Sequence, residues 1–134
     1  MTQTGRRTSR QRFGDDDLAR EFQKVINMTP AEIRRWHRSP LSRIASLPHI
    51  RAELPLLADT KATAPSKWST RMRNKATRAV AFVRRHEAQM AVQGRRYGTG
   101  RLHVTEKRVV ALLNWGRKTP GVALARRLLR EATS

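Results

Sequence analysis

A chain of 134 residues, 38% of them apolar and none of them cysteine, supports one modest domain and excludes a disulfide framework or a thiolate metal site. No apolar run approaches the ~20 residues of a membrane span. The basic start MTQTGRRTSRQRFG lacks the apolar stretch of a secretory signal, so a cytoplasmic protein is expected. The formal net charge of +19 repels itself and calls for a polyanion, of which nucleic acid is the commonest.

Residues 1–14 carry four arginines, no acid and no apolar periodicity, and read as a disordered basic arm. Residues 15–134 read as a single all-α domain of about five helices. The first helix is expected from Asp15–Asp17, where acids suit a helix N-terminus, to about Asn27, with Leu18, Phe22, Val25 and Ile26 at helical spacing. The strongest start signal follows. Thr29 is a natural N-cap, Pro30 suits the first helical position, Glu32 completes a capping box and Met28 can staple onto Ile33. This second helix is short, and Ser39-Pro40 ends it just beyond Trp36.

Pro40, Pro48 and Pro55 leave room only for short helices and turns, and residues 59–68, beginning DTKATAPS, read as a linker between a neutral subregion (15–58) and a basic one (69–134). A long helix is expected from Ser69 to Gln93, with Met72, Ala76, Ala79, Val80, Val83 and Met90 as its apolar stripe. The segment GRRYGTGRLHV at 94–104 reads as a flexible loop. Thr105 can cap a helix running to about Trp115, with Val109, Leu112 and Leu113 inward. Thr119-Pro120 repeats the cap-then-proline start, and a last helix with Val122, Ala125, Leu128 and Leu129 inward runs to about Thr133.

Charge follows this division. Residues 15–59 balance seven basic against seven acidic residues, whereas residues 60–134 carry a net +15. On the long helix Arg71, Lys75, Arg78, Phe82, Arg85 and Gln89 fall along one line of the wheel, off the apolar stripe, so its cations can track a phosphate backbone. Phe82 either packs against another element or wedges among bases. Arg126, Arg127 and Arg130 lie opposite the apolar face of the last helix. Lys107, Arg108, Arg117 and Lys118 flank the helix before it, and Arg95 and Arg96 begin the glycine-rich loop beside Tyr97. Trp115 reads as an inter-helix anchor or a stacking platform. Arginine outnumbers lysine 23 to 6, which fits forked phosphate contacts and equally fits GC-rich codon usage.

Catalysis finds no support. His37, His49, His86 and His103 lie far apart without metal-ligand spacing, and no Walker loop, GxSxG motif or paired-carboxylate geometry occurs. No cofactor, metal, membrane or small-molecule substrate is expected.

Three stretches, FQKVINMTPAEIRRW at 22–36, Met72–Gln89 around VAFVRRHEAQ, and LLNWGRKTP at 112–120, together resemble a small bacterial family of unknown function. Some members of that family are described as DNA-binding proteins. The chain departs from the family pattern in its proline-spaced stretch 40–55 and in its additional basic helix. The resemblance implies bacterial origin and DNA binding, and no mechanism. It suggests that Asn114, Trp115 and Gly116 matter to the fold, with Gly116 closing a helix.

The functional expectation is therefore a nucleic-acid-binding protein. Double-stranded DNA would be held mainly through phosphate with weak sequence specificity, at the nucleoid, with a homodimer through 15–58 possible. The alternatives are an RNA- or ribosome-associated structural protein, a helix-turn-helix regulator using Arg34, Arg35, His37 and Arg38, and a module that binds an acidic protein.

Overall fold

The computed structural model describes residues 17–43, 48–96, 98 and 105–133. The expected basic arm at 1–14, the Asp15-Asp16 start and most of the 94–104 loop, including Tyr97 and His103, lie outside the described residues. Seven α-helices occur among those described: α1 (17–25), α2 (Pro30–Arg38), α3 (Pro48–Ala52), α4 (Leu54–Ala62), α5 (Thr70–Arg96), α6 (Glu106–Leu113) and α7 (Ala123–Thr133). Short 3-10 turns occupy Pro40–Arg43 and Pro65–Lys67. The described residues contain no strand, and the all-α expectation holds.

Local signals account for the second helix. The Thr29 side chain accepts from the Glu32 amide, and the Glu32 carboxylate accepts from the Thr29 amide at 2.9 Å, so both halves of the capping box form. Elsewhere the proline-rich stretch is more helical than its spacing suggests. Pro48 and Pro55 stand in the first turns of α3 and α4, where a missing N–H costs nothing, so they start helices rather than break them.

The expected linker at 59–68 is not one. Helix α4 runs through to Ala62, a 3-10 turn follows, and Trp68 is buried at its end. The Trp68 indole N–H donates to the carbonyls of Thr60 and Thr63, and its ring meets Phe22 edge-on at 5.4 Å. One tryptophan therefore staples a polar, linker-like composition onto α1 and α4. The two subregions accordingly share one core, in which Phe22, Ile26, Ile33, Trp36, Leu54 and Leu57 join Ala76, Val83, Met90, Leu112 and Leu113. Among the described residues of 15–58, Phe22, Ile26, Met28, Ile33, Trp36, Leu54 and Leu57 are buried within the chain.

Two boundaries also move. Helix α5 continues past Gln93 through Gly94, Arg95 and Arg96. Gly94 is buried there, and Arg108 of α6 donates to the Gln93 side chain, so tertiary contact overrides the glycine's poor helix propensity. Helix α7 begins at Ala123 rather than at Pro120. The Thr119 hydroxyl is spent on Glu87 of α5 instead of on a cap, and Gly121 turns the chain with φ of 77°.

The end of α6 is the structural hub. The Gly116 amide donates to the Leu113 carbonyl and the Arg117 amide to the Leu112 carbonyl, a Schellman closure with Gly116 at φ 80°. Asn114, fully buried, accepts from the Trp36 indole at 2.8 Å and donates to the Ser42 carbonyl at 3.0 Å. The Met28 amide donates to the Gly116 carbonyl, while the Asn27 side chain grips the backbone N–H and C=O of Lys118 at 2.7 and 2.8 Å. The Asn-Met-Thr-Pro and Asn-Trp-Gly motifs are thus two faces of one joint.

Candidate nucleic-acid interface

Sequence places Lys75, Phe82 and the cations of α5 on one outward line. The structure divides them. Lys75 is turned inward, 2% exposed, with its ammonium 2.9 Å from Glu53 and 4.1 Å from the centroid of the Trp115 ring. Burial pushes the Lys75 ammonium below its ordinary value, and the Glu53 carboxylate opposes that shift. The hydrogen bond from Lys75 holds Glu53 below the usual carboxylate range although its partial burial acts the other way. Phe82 stacks between His86 at 4.0 Å and Trp115 at 5.1 Å. A column of Lys75, Trp115, Phe82 and His86 therefore braces α5 against the end of α6. As a candidate contact residue Lys75 is corrected to a structural one, because a cation held by both a carboxylate and an indole face has no reach to solvent. Phe82 and Trp115 are packing residues.

Three further candidates are also internal connectors. Arg117 forks onto Glu87 at 2.9 and 3.2 Å and donates to the Val25 carbonyl, joining α5 to the end of α1. Lys118 pairs with Glu32 at 3.1 Å. Arg108 is half-buried against Gln93. Each is a cation that sequence could count but not assign, since its partner lies 15 to 86 residues away.

The remaining candidates are exposed: Arg71, Arg78 and Arg85 along α5, Arg95 and Arg96 at its end, Lys107 on α6, and Arg126, Arg127 and Arg130 on α7. Arg127 lies 3.8 Å from Glu131, one turn on. Arg71, Arg78 and Arg85 form no ion pair among the described residues, and the charges of the first two help hold Glu53 low. The seven-residue interval puts them on one face, about 10 Å apart along the helix.

The second helix contributes unexpectedly. Arg34, a recognition-helix candidate, is held by Asp59 of α4 at 2.7 Å, and α2 packs against both α4 and α7. Arg35, by contrast, faces α7 across an open cleft of about 300 Å³, lined by Glu32, Arg35, Lys118, Arg126, Leu129 and Arg130. No spacing rule joins Arg35 to a helix about 90 residues later, so sequence reasoning missed the pairing.

Among the described residues no group of histidines and carboxylates could hold a metal ion, and no helix is long and apolar enough to cross a membrane. No family model, curated protein or solved structure matches the chain.

Proposed function

We propose that the protein binds nucleic acid, with duplex DNA preferred, mainly through phosphate and with weak sequence specificity. The observation that carries this reading is the row of Arg71, Arg78 and Arg85. These are exposed guanidinium groups with no ion-pair partner among the described residues, on a helix otherwise tied into the core. Cations kept in register on a rigid rod, in a chain of net charge +19, gain most from a regular polyanion. Guanidinium forks match phosphate oxygens, and such contacts fix position without reading bases. The resemblance of 22–36, 72–89 and 112–120 to a bacterial family, some of whose members are described as DNA-binding proteins, agrees with this reading, and DNA binding would place the protein at the nucleoid. Asn27, Met28, Asn114 and Gly116 of those stretches form the scaffold joint, so contact falls to other residues.

The test is competition among duplex DNA, single-stranded DNA and structured RNA at 50 and 200 mM salt. If about six phosphates are contacted, duplex affinity falls by roughly three orders of magnitude across that range. Changing Arg71, Arg78 and Arg85 to alanine together lowers the slope of log affinity against log salt by about 3. Preference for structured RNA, or an affinity indifferent to salt, overturns the proposal.

A further inference from the structure

The cleft between α2 and α7 stands apart from the α5 row in construction as well as position. Its floor is fixed. The Asn27 side chain holds the backbone of Lys118 from both sides, the Lys118 ammonium bonds both Glu32 oxygens at 3.2 and 3.1 Å, and Leu129 closes the base at 5% exposure. Among the described residues Glu32 is the cleft's one carboxylate, and Lys118 answers its charge. Partial burial alone would raise its pKa, yet the Thr29 amide and Lys118 hold it below its ordinary value.

The walls are long side chains: Arg35 from α2, and Arg126 and Arg130 from α7. Arg126 and Arg130 are one helical turn apart and present their guanidinium groups on the same side. Like charges at that spacing repel. Arg35 adds a third cation from the facing helix. Arg35 and Arg126 line the cleft with no ion pair among the described residues, an arrangement that suits an anion seated between them. A volume of about 300 Å³ is at the small end of ligand sites, enough for a phosphate group and the atoms it is attached to.

We propose that this cleft is a phosphate site, in which Arg35 and Arg126 grip a single phosphate of the nucleic-acid ligand over the Lys118–Glu32 floor. It rests on the nucleic-acid reading above and adds a docking point to it. One phosphate held in a built cleft fixes the position of the chain on the duplex, while the α5 row supplies the less specific attraction.

The experiment uses the full chain and two probes. Inorganic pyrophosphate, titrated by calorimetry at 50 mM salt, reports the cleft alone. A duplex of defined length, titrated by fluorescence anisotropy over a salt series, reports the whole surface. The variants are Arg35→Ala with Arg126→Ala, Arg126→Lys, and the control Arg127→Ala, which changes an exposed arginine of the same helix outside the cleft. Thermal unfolding confirms that each is folded.

The expected result is one pyrophosphate site, weakened at least tenfold by the double variant and less by Arg126→Lys, which keeps the charge but loses the fork. Arg127→Ala leaves it unchanged. On duplex DNA the double variant lowers the salt slope by about one. Absence of pyrophosphate binding, or binding indifferent to the double variant, overturns the cleft as a phosphate site. Normal pyrophosphate binding without duplex binding upholds the cleft and overturns the nucleic-acid reading. Duplex binding that the double variant leaves unchanged in affinity and slope upholds that reading and removes the cleft from it.

Discussion

Two glycines with nearly the same backbone angle should respond very differently to one methyl group. Gly116 has φ of 80° and Gly121 has φ of 77°. Alanine at either position bears the left-handed backbone penalty of about 1–2 kcal/mol, partly offset by the lower entropy of the unfolded chain. At Gly121 that is the whole effect, since a Cβ there meets nothing within 4 Å. At Gly116 the new carbon would stand 2.6 Å from Ile26 Cγ2 and 3.1 Å from Leu57 Cδ2. Both side chains are fully buried, so overpacking adds about 1–3 kcal/mol. The Gly116 carbonyl also anchors the Met28 amide, so a backbone shift that relieves the clash pulls on the α1–α2 joint. Gly116→Ala should cost about 3 kcal/mol and Gly121→Ala about 1. Urea unfolding at 25 °C measures both, with unchanged m-values expected. For a chain of this size the thermal midpoints should fall by about 10 °C and about 3–4 °C respectively. Equal losses, or a larger loss at Gly121, would refute the joint as the site of tight packing.

The buried pair should be asymmetric: Glu53→Gln leaves the Lys75 ammonium uncompensated inside the fold and should cost about 2–3 kcal/mol. Lys75→Met leaves Glu53 its partial solvent exposure and should cost less, again by urea unfolding. Asn114→Ala strips the Trp36 indole N–H and the Ser42 carbonyl of their partner at once and should cost about 3 kcal/mol, with altered tryptophan fluorescence reporting the freed indole. Burial first, then the charges of Arg108 and Arg85, hold the His86 imidazole below its ordinary value of about 6.5, and its Nδ1 is buried with no hydrogen-bond partner. The folded state then binds fewer protons than the unfolded state, so stability is full above pH 6.5 and declines as pH falls below it. His86→Phe keeps the stack on Phe82 and should flatten that decline between pH 6.5 and 5. Part of the decline should persist through His37, which burial, Arg51 and Arg38 also hold low. An unchanged profile would show that His86 does not titrate there.

What could be read from the chain was local. Thr29, Pro30 and Glu32 announce a helix start because the capping box is complete within four residues, and Gly116 announces a helix end because only a residue tolerant of positive φ closes one this way. The linker reading failed because composition weighs each residue equally, whereas one buried Trp68 with two hydrogen bonds outweighs the small and polar residues around it. The outward placement of Lys75 failed for a different reason. A helical wheel assumes one apolar partner, but α5 meets the turn bearing Glu53 on one flank and Trp115 on another, so a residue at the margin of the stripe is enclosed. Arg71, Arg78 and Arg85, farther from that margin, stayed outside as the wheel indicates. The Arg35–Arg126 cleft was illegible in principle, since it exists only once α2 and α7 are packed together.

The division into a neutral and a basic half changes meaning in the folded chain. Glu21, Glu32 and Glu53 of the neutral half pair with Arg84, Lys118 and Lys75 of the basic half. These three carboxylates thus cancel cations at the seam between the halves, while Asp17 and Asp59 pair with Arg20 and Arg34 of their own half. Arg35, which a count would set against those acids, is left to join the basic surface across the cleft. The neutral half is therefore neutral only in sequence. In space it supplies the negative charge that lets a strongly basic segment fold around Lys75 and Lys118, and it sets Arg35 beside Arg126 and Arg130 in the cleft. It follows that the basic half cut at Ser69 would lose Glu53 beneath Lys75, Asn27 and Glu32 beside Lys118, and Trp68 from its core. The basic surface and its support share one core, so on the proposed reading losses in the joint should weaken polyanion binding without touching a contact residue.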